Sequence, residues 1–451
     1  MRYLSAKRLC FLYFGLYERS FRPLATMSRS CLPIISAHPS RALVDEKIKV
    51  CVENLPPGLP VTLHSLHHSE DKDYWEAFGH YISDHRGAVS VADDLSFGGT
   101  YKGKEEMGLL WSMRPVPGSR EALRLRKMNV CSPFLVNISV HSGHVTEGFM
   151  ERTPLAATLI ERWYMAPGVK RINVQQRGVR GTLFLPPGPG PYPGLLDMWG
   201  GGGGLIEYRS ALLASRGYVS LALEYIKPDE LQSAELAFNY FETAFNIIKE
   251  HPRVISDRVG LFGLSLGSIV SFLLAAESIV VKPSCCVCVS GSHVSTHLNS
   301  LKGFGNIISA QKDLIRLDEN NHQVWREMSS EILRNSTNTI DVGKIECPVL
   351  LVNGYDDQNW AVEEYAKDIL QQMKNAGNEH LLTLVQYPEA GHLIEPPYTP
   401  HFRFSRFSKN AIVVWGGATK PHSDAQEDSW RKILAFLQQH LYSNQTPRAR
   451  M

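Results

Sequence analysis

A serine sits between two glycines in Gly263-Leu264-Ser265-Leu266-Gly267, where the apolar run of VGLFGLSLGSIVSFLLAAES passes into a helix-like segment. This is the pattern of a nucleophile elbow, a sharp strand-to-helix turn that lifts a hydroxyl clear of the sheet edge. The glycines remove side chains that would collide in so tight a turn, and the helix N-terminus favours a developing negative charge. A helix-capping serine is the plainer account of one hydroxyl at this point. The strand before it and the helix after it favour the nucleophile.

A serine nucleophile needs a base, and the base needs an acid to orient it, in chain order serine, acid, histidine on this kind of elbow. VLLVNGYDDQNW ends a predicted strand with Asp356 and Asp357. Asp357, three residues past Gly354, is the expected acid and Asp356 the reserve. LLTLVQYPEAGHLIEPP ends the next predicted strand with His392, the expected base. The oxyanion formed on attack needs donors. One is the backbone N–H of Leu266, which follows the nucleophile. The others are expected from Gly201 and Gly202, within the five glycines Gly200 to Gly204 that follow the predicted strand GLLDMWG. A nucleotide-binding glycine loop fits less well, because no Lys-Ser/Thr follows and there is no G-x-G-x-x-G with a ribose-binding acid.

Two other clusters lead away from chemistry. Cys285, Cys286 and Cys288 in CCVCVS suggest metal ligands, but neighbouring strand residues face opposite sides, so buried strand thiols are expected. His64, His67 and His68 in HSLHHS lack further ligands nearby and are expected on an exposed strand or loop. No metal is expected.

The elements that must position these residues fall into two regions. From about 38 to 155, short alternating runs such as KIKVCVENL, PVTLHSLHH and FLVNISVHSGHV are broken by prolines and turns, which predicts a β-sandwich. Residues 163–185 read as an antiparallel pair, with the Pro/Gly run 186–194 as a loop. Near-continuous apolar strands then alternate with helices, including a long one over DELQSAELAFNYFETAFNIIKEHP, which predicts a parallel sheet covered on both faces. The irregular stretch 291–343 falls at the carboxyl side of that sheet and reads as a lid or pocket wall. The fold class is α/β: an α/β-hydrolase domain with an N-terminal β-sandwich. The expected organisation is a targeting or disordered extension (1–34), the sandwich (35–160), the catalytic domain (161–443) and a flexible tail (444–451).

Several of these stretches resemble one family. GYDDQNW, YPEAGHLIEPPY, VVWGGATKPHSDAQEDSWRKILAFL and the segment from ERWYMAPG to LLASRGY are similar to the type I acyl-CoA thioesterases and bile acid-CoA:amino acid N-acyltransferases, a likeness covering about 35 to 443. The resemblance implies the two-domain fold above, a triad of Ser265, Asp357 and His392, and acyl-CoA thioesters as substrates. Coenzyme A would be part of the substrate, so no cofactor is expected. In this family the transferases place a cysteine at the elbow and the thioesterases a serine. An oxygen ester reacts less readily with amines than a thioester and can be cleared by activated water, so Ser265 implies hydrolysis of fatty acyl-CoA to fatty acid and CoA. N-acyl transfer to an amino acid and general esterase activity are the alternatives, and a catalytically silent hydrolase fold is a further one. The thioesterases carry a lysine after the serine where this chain has Leu266, a departure that bears on acyl-chain preference.

Composition excludes other classes. The net charge of +2 over 451 residues does not suggest a nucleic-acid binder, and no apolar run reaches the ~18 residues of an integral membrane segment. Eight scattered cysteines fit a reducing compartment. Residues 1–44 contain seven basic residues and one acid, Glu18, the composition of a mitochondrial transit peptide. LCFLYFGLY could instead be a signal-peptide core, or the segment a plain extension ahead of Met27. Ala449-Arg450-Met451 is a relaxed relative of the Ser-Lys-Leu peroxisomal address. The mitochondrial matrix is the expected compartment, with cytosol and peroxisome as alternatives.

Overall fold

In a computed structural model the described residues are 32–226, 237–294, 312–335 and 339–442. The chain from Pro33 onward forms one compact unit. The expected leader, the C-terminal tail, the start of the predicted long helix and much of 291–343 lie outside the described residues.

The N-terminal region consists of two sheets. One has three strands, Ile34–His38, Lys49–Glu53 and Val89–Ser90. The other has six, in the order Arg41–Leu43, Ala156–Trp163, Phe134–Ser142, Pro60–His68, Tyr74–Ile82 and Arg114–Pro115. Alternate residues such as Val50, Val52, Val61, Leu63, Ile138 and Val140 meet in a shared apolar core, as strands with period two require. The last strand, Ala156–Trp163, pairs with Phe134–Ser142 out to Arg162.

The histidines of this region differ from expectation. His64 and His67 are buried, and only His68 is exposed. Their strand has a partner at each edge, and its faces are covered by the sandwich core on one side and by the Phe78–Val145–Phe149 cluster on the other. His67 bonds the Leu135 carbonyl at 2.9 Å, while His64 stacks on Phe149 with ring centres 4.0 Å apart. Phe149 comes from a segment that folds over the outer face, a contact distant in sequence.

The larger region is an eight-stranded sheet in the order Lys170–Gln176, Val179–Leu185, Val219–Glu224, Tyr192–Met198, Val254–Leu264, Cys286–Val289, Val349–Gly354 and Leu382–Tyr387. Its first two pairings are antiparallel and the rest parallel. Helices Phe238–Lys249, Leu266–Glu277 and Val362–Asn375 pack on one face, and Tyr208–Ser215 and Thr419–Leu437 on the other. Leu195 and Leu196 enter opposite cores, as do Val287 and its neighbours Cys286 and Cys288. Two covered faces explain why these strands read as continuous apolar runs. The face carrying Tyr208–Ser215 and Thr419–Leu437 shares its core with the β-layers. Asp45 ties this junction, pairing with Arg216 and accepting the Trp430 indole N–H at 2.9 Å.

The thiols of CCVCVS are buried, Cys286 and Cys288 in the strand and Cys285 just before it. Cys286 and Cys347 are hydrogen-bonded free thiols with sulfurs 3.7 Å apart, and burial pushes the Cys285 thiol well up. No group able to hold a metal occurs among the described residues. None of the described helices is long and apolar enough to cross a membrane. The sequence reading did not anticipate the hairpin Phe404–Ser408 and Ala411–Val414, which joins Arg316–Leu317 and Gln323–Val324 in a small sheet beside the cleft.

Candidate active site

The strand Val254–Leu264 delivers Ser265 to the sheet edge with φ 56° and ψ −120°, a conformation rare for a side-chain-bearing residue. Neighbouring groups hold it there. Its N–H donates to Val289 O at 2.9 Å, and its carbonyl accepts both the Ser268 N–H (2.8 Å) and the Ser268 hydroxyl (2.6 Å). A Cβ on Gly263 would lie 2.2 Å from Gly267 O, and one on Gly267 would lie 2.2 Å from Met198 O. Both neighbours are backbone atoms, so a larger residue at either position forces the backbone to shift.

His392 follows the strand Leu382–Tyr387 on a loop fixed at both backbone groups. Its N–H donates to Trp415 O at 2.8 Å, and its carbonyl accepts the Ser290 hydroxyl at 2.6 Å. Trp360 and Trp415 pack on the ring, with centroids 5.5 and 5.8 Å away. The Ser265 hydroxyl meets His392 Nε2 at 2.9 Å, and His392 Nδ1 meets Asp357 Oδ2 at 2.6 Å. The other Asp357 oxygen accepts the N–H groups of Asn359 and Trp360, both at 2.8 Å. With Nδ1–H donated to the carboxylate, Nε2 is left to accept a proton. All three side chains are buried, Asp357 completely.

Asp356, the reserve acid, faces elsewhere. It pairs with Arg403 at 2.7 Å and accepts the Gly417 N–H at 2.8 Å. His422 was not singled out from sequence. It accepts the Gly391 N–H (3.0 Å) and donates to Leu393 O (2.9 Å), bracketing His392 along the chain. Burial, with His401 beside it, pushes this imidazole down to about 3, so it acts as a neutral strut.

A cleft opens over Ser265. Gly201, Gly202 and Leu266 all line it, so the expected oxyanion donors share one cavity with the serine. Leu266 opens its helix, where the first N–H groups have no intrahelical acceptor. A Cβ added at Gly200 would lie 3.2 Å from the Ser265 Cβ. Beneath this loop, the buried Arg209 bonds Asp197 at 2.8 Å and the Met198 carbonyl at 3.1 Å. Trp325, Phe407 and Trp415 form an aromatic wall. The part of 291–343 that is described thus contributes Trp325 as pocket wall. Arg124, Arg126 and Arg406 complete the lining and were not expected from sequence. The alternation in ALRLRKM was the available signal for the first two.

The chain matches two family descriptions, "Acyl-CoA thioester hydrolase/BAAT N-terminal region" over residues 45–176 and "BAAT / Acyl-CoA thioester hydrolase C terminal" over 236–443. It is 38% identical to the peroxisomal succinyl-coenzyme A thioesterase of Mus musculus, across 91% of this chain and 97% of that protein. The chain belongs to the acyl-CoA thioesterase/bile acid-CoA:amino acid N-acyltransferase family. It is also 34% identical to the mouse bile acid-CoA:amino acid N-acyltransferase (90% and 97% covered) and to the mouse mitochondrial acyl-coenzyme A thioesterase 2 (98% and 98%). Solved structures similar to this family member include a putative dienelactone hydrolase from Klebsiella pneumoniae (16% identity, TM-score 0.37, 60% of this chain and 98% of that one). The acylaminoacyl peptidase of Pyrococcus horikoshii is another (11%, TM-score 0.40, 89% and 61%). Family membership makes the chain a hydrolase-family enzyme with acyl-CoA as the implied substrate class.

Proposed function

We propose that this family member is a serine acyl-CoA thioesterase, and that Ser265, His392 and Asp357 perform the reaction. The reading rests on the continuous hydrogen-bonded series from Ser265 through His392 to Asp357. As the Ser265 oxygen bonds to the thioester carbonyl carbon, His392 Nε2 takes the hydroxyl proton. The carbonyl oxygen becomes an oxyanion, stabilised by the N–H of Leu266 and the loop N–H groups of Gly201 and Gly202. Collapse of this intermediate breaks the C–S bond, and His392 returns its proton to the departing sulfur, giving free CoA and an acyl-serine. Water then attacks the ester with its proton passing to His392. The C–O bond to Ser265 breaks, and the serine is restored with the acid as product. Asp357 holds the imidazole in the required tautomer throughout and stabilises its cationic form.

Transfer to an amine is the second reading, since one relative is an N-acyltransferase. The oxygen nucleophile favours water as acceptor. The deciding experiment measures CoA release from an acyl-CoA series by the wild type and Ser265→Ala, with and without glycine or taurine. Release that is lost in the variant and indifferent to amine supports the thioesterase. An amide product that rises with amine would establish the transferase.

The relatives' names include peroxisomal and mitochondrial proteins. We place this chain in the mitochondrial matrix on its basic, acid-poor leader, against the cytosol or peroxisome. Import of residues 1–44 fused to a reporter tests this.

A further inference from the structure

A second cavity lies between the β-layers and the loop that follows His392. Leu110, Met113, Leu125, Phe134 and Val136 give it an apolar wall, and the loop completes it with Tyr398, Thr399 and Pro400. Leu125 belongs to this wall while its neighbours Arg124 and Arg126 line the cleft over Ser265, so one segment separates the two cavities. Tyr398 holds φ at 63°, in the left-handed region that a bulky side chain rarely occupies. Such strain collects at ligand sites. Two basic side chains stand in the apolar lining. His67 pairs with Val136 and Arg162 with Phe134 across adjacent strands, which puts both on one face of the six-stranded sheet. They are 5% and 3% exposed. Each holds a buried nitrogen, His67 Nε2 and Arg162 Nη1, with no hydrogen-bond partner among the described residues.

The contacts these side chains do make define what the two nitrogens can take. Arg162 donates through Nη2 to the carbonyls of Val44 (2.9 Å) and Glu46, and no carboxylate among the described residues bonds it. Asp45 and Glu46 are near, but their carboxylates turn to Arg216. Burial pushes the guanidinium down to about 10 in spite of them. His67 Nδ1 donates to Leu135 O, and burial pushes this imidazole down, which leaves Nε2 as an acceptor. A carboxyl group serves both atoms: one oxygen accepts from the guanidinium, and the other shares a proton with the imidazole. A hydroxyl would leave the buried charge uncompensated, and an inorganic anion would leave the apolar wall unused. We propose that this cavity binds an aliphatic monocarboxylate, with its head on Arg162 and His67 and its chain along Met113, Phe134 and Val136. The site is separate from the triad, so the inference holds whichever acceptor the enzyme uses.

The test uses a diazirine-bearing pentanoate as a photoreactive probe on the full chain, with adducts located by peptide mass spectrometry. It is run on the free enzyme and on enzyme whose cleft has first been blocked at Ser265 by a fluorophosphonate. The expected result is labelling of the peptides holding Met113, Phe134 to Val136 or Tyr398 to Pro400, unchanged by the block. Excess pentanoate should suppress it, and pentanol should not. In Arg162→Met the probe's affinity should fall about ten- to a hundredfold, the range of a charge-assisted hydrogen bond. Arg162 also holds two carbonyls, so its loss endangers folding, which a melting curve checks. Val136→Phe keeps the guanidinium and fills the cavity, and it should abolish labelling in a folded protein. Labelling removed by the fluorophosphonate would overturn the proposal and assign the probe to the catalytic cleft. Equal suppression by pentanol would reduce the cavity to an apolar hollow that makes no use of Arg162. No adduct on these peptides, or full labelling in folded Val136→Phe, would also overturn it.

Discussion

Gly267→Ala tests how the elbow is coupled to the oxyanion loop. The added methyl would lie 2.2 Å from Met198 O, 2.7 Å from Met198 C and 2.9 Å from Trp199 O. These are backbone atoms and cannot rotate away. Restoring even a 3.0 Å contact requires them to move by about 0.8 Å relative to the helix. Gly200, Gly201 and Gly202 follow directly and line the cleft with Ser265, so the displacement falls on the groups facing the nucleophile. A shift of about 1 Å at a reacting centre costs roughly a hundredfold, and loss of one oxyanion donor costs a hundred- to a thousandfold. We expect kcat to fall about a hundredfold with KM little changed, because the contact is made to the transition state. Overpacking should also cost about 1–3 kcal/mol of stability. Steady-state CoA release, with a melting curve to confirm folding, measures both effects. A folded variant whose kcat stays within about threefold of wild type would refute the coupling, since the loop would then have absorbed the methyl without moving its donors.

Three further outcomes are expected. Asp357→Asn should lower kcat by about ten-thousandfold, because an amide facing Nδ1 favours the wrong tautomer. Asp356→Asn should retain activity within about tenfold, since its partners are Arg403 and Gly417; equal losses in the two variants would undo the assignment. Arg124→Met leaves Glu395 buried without its cation, which should cost about 3–5 kcal/mol in denaturant unfolding. The double variant Arg124→Met/Glu395→Gln should regain part of that, and an additive double would show that the pair is not coupled. The third concerns acid stability. His422 has an ordinary value of 6.5 and sits near 3 when folded, so between those values the unfolded chain binds a proton that the folded chain refuses. The resulting stabilisation is complete above pH 6.5 and is lost as pH falls towards 3, with a slope of up to about 1.4 kcal/mol per pH unit. His141, held down to about 4 by burial, adds in the same direction. Melting temperatures should fall from pH 7 to pH 4.5, less steeply in His422→Gln, and identical slopes would exclude His422 as the cause.

Local residue chemistry made much of this protein legible in the sequence. Any side chain at 263 or 267 would crowd a turn where backbone approaches backbone at 2.2 Å, so the glycine pattern marks the elbow. Continuous apolar strands alternating with helices admit only a sheet covered on both faces, and such a sheet presents the ends of its strands, with Asp357 and His392, at one edge. Tertiary structure alone decided what depends on contacts far apart in the chain. Two adjacent aspartates are equivalent as sequence; Asp357 faces His392 because its turn directs it inward, while Arg403, 47 residues away along the chain, draws Asp356 outward. His64 and His67 look like surface histidines until Phe149 and the sandwich core close over them. Arg124 and Arg126 belong to the β-layers by sequence, yet they line a cleft whose nucleophile stands more than a hundred residues later. Short-range sterics and hydrophobic period are written locally, whereas charge complementarity between distant segments exists only once the chain has closed on itself.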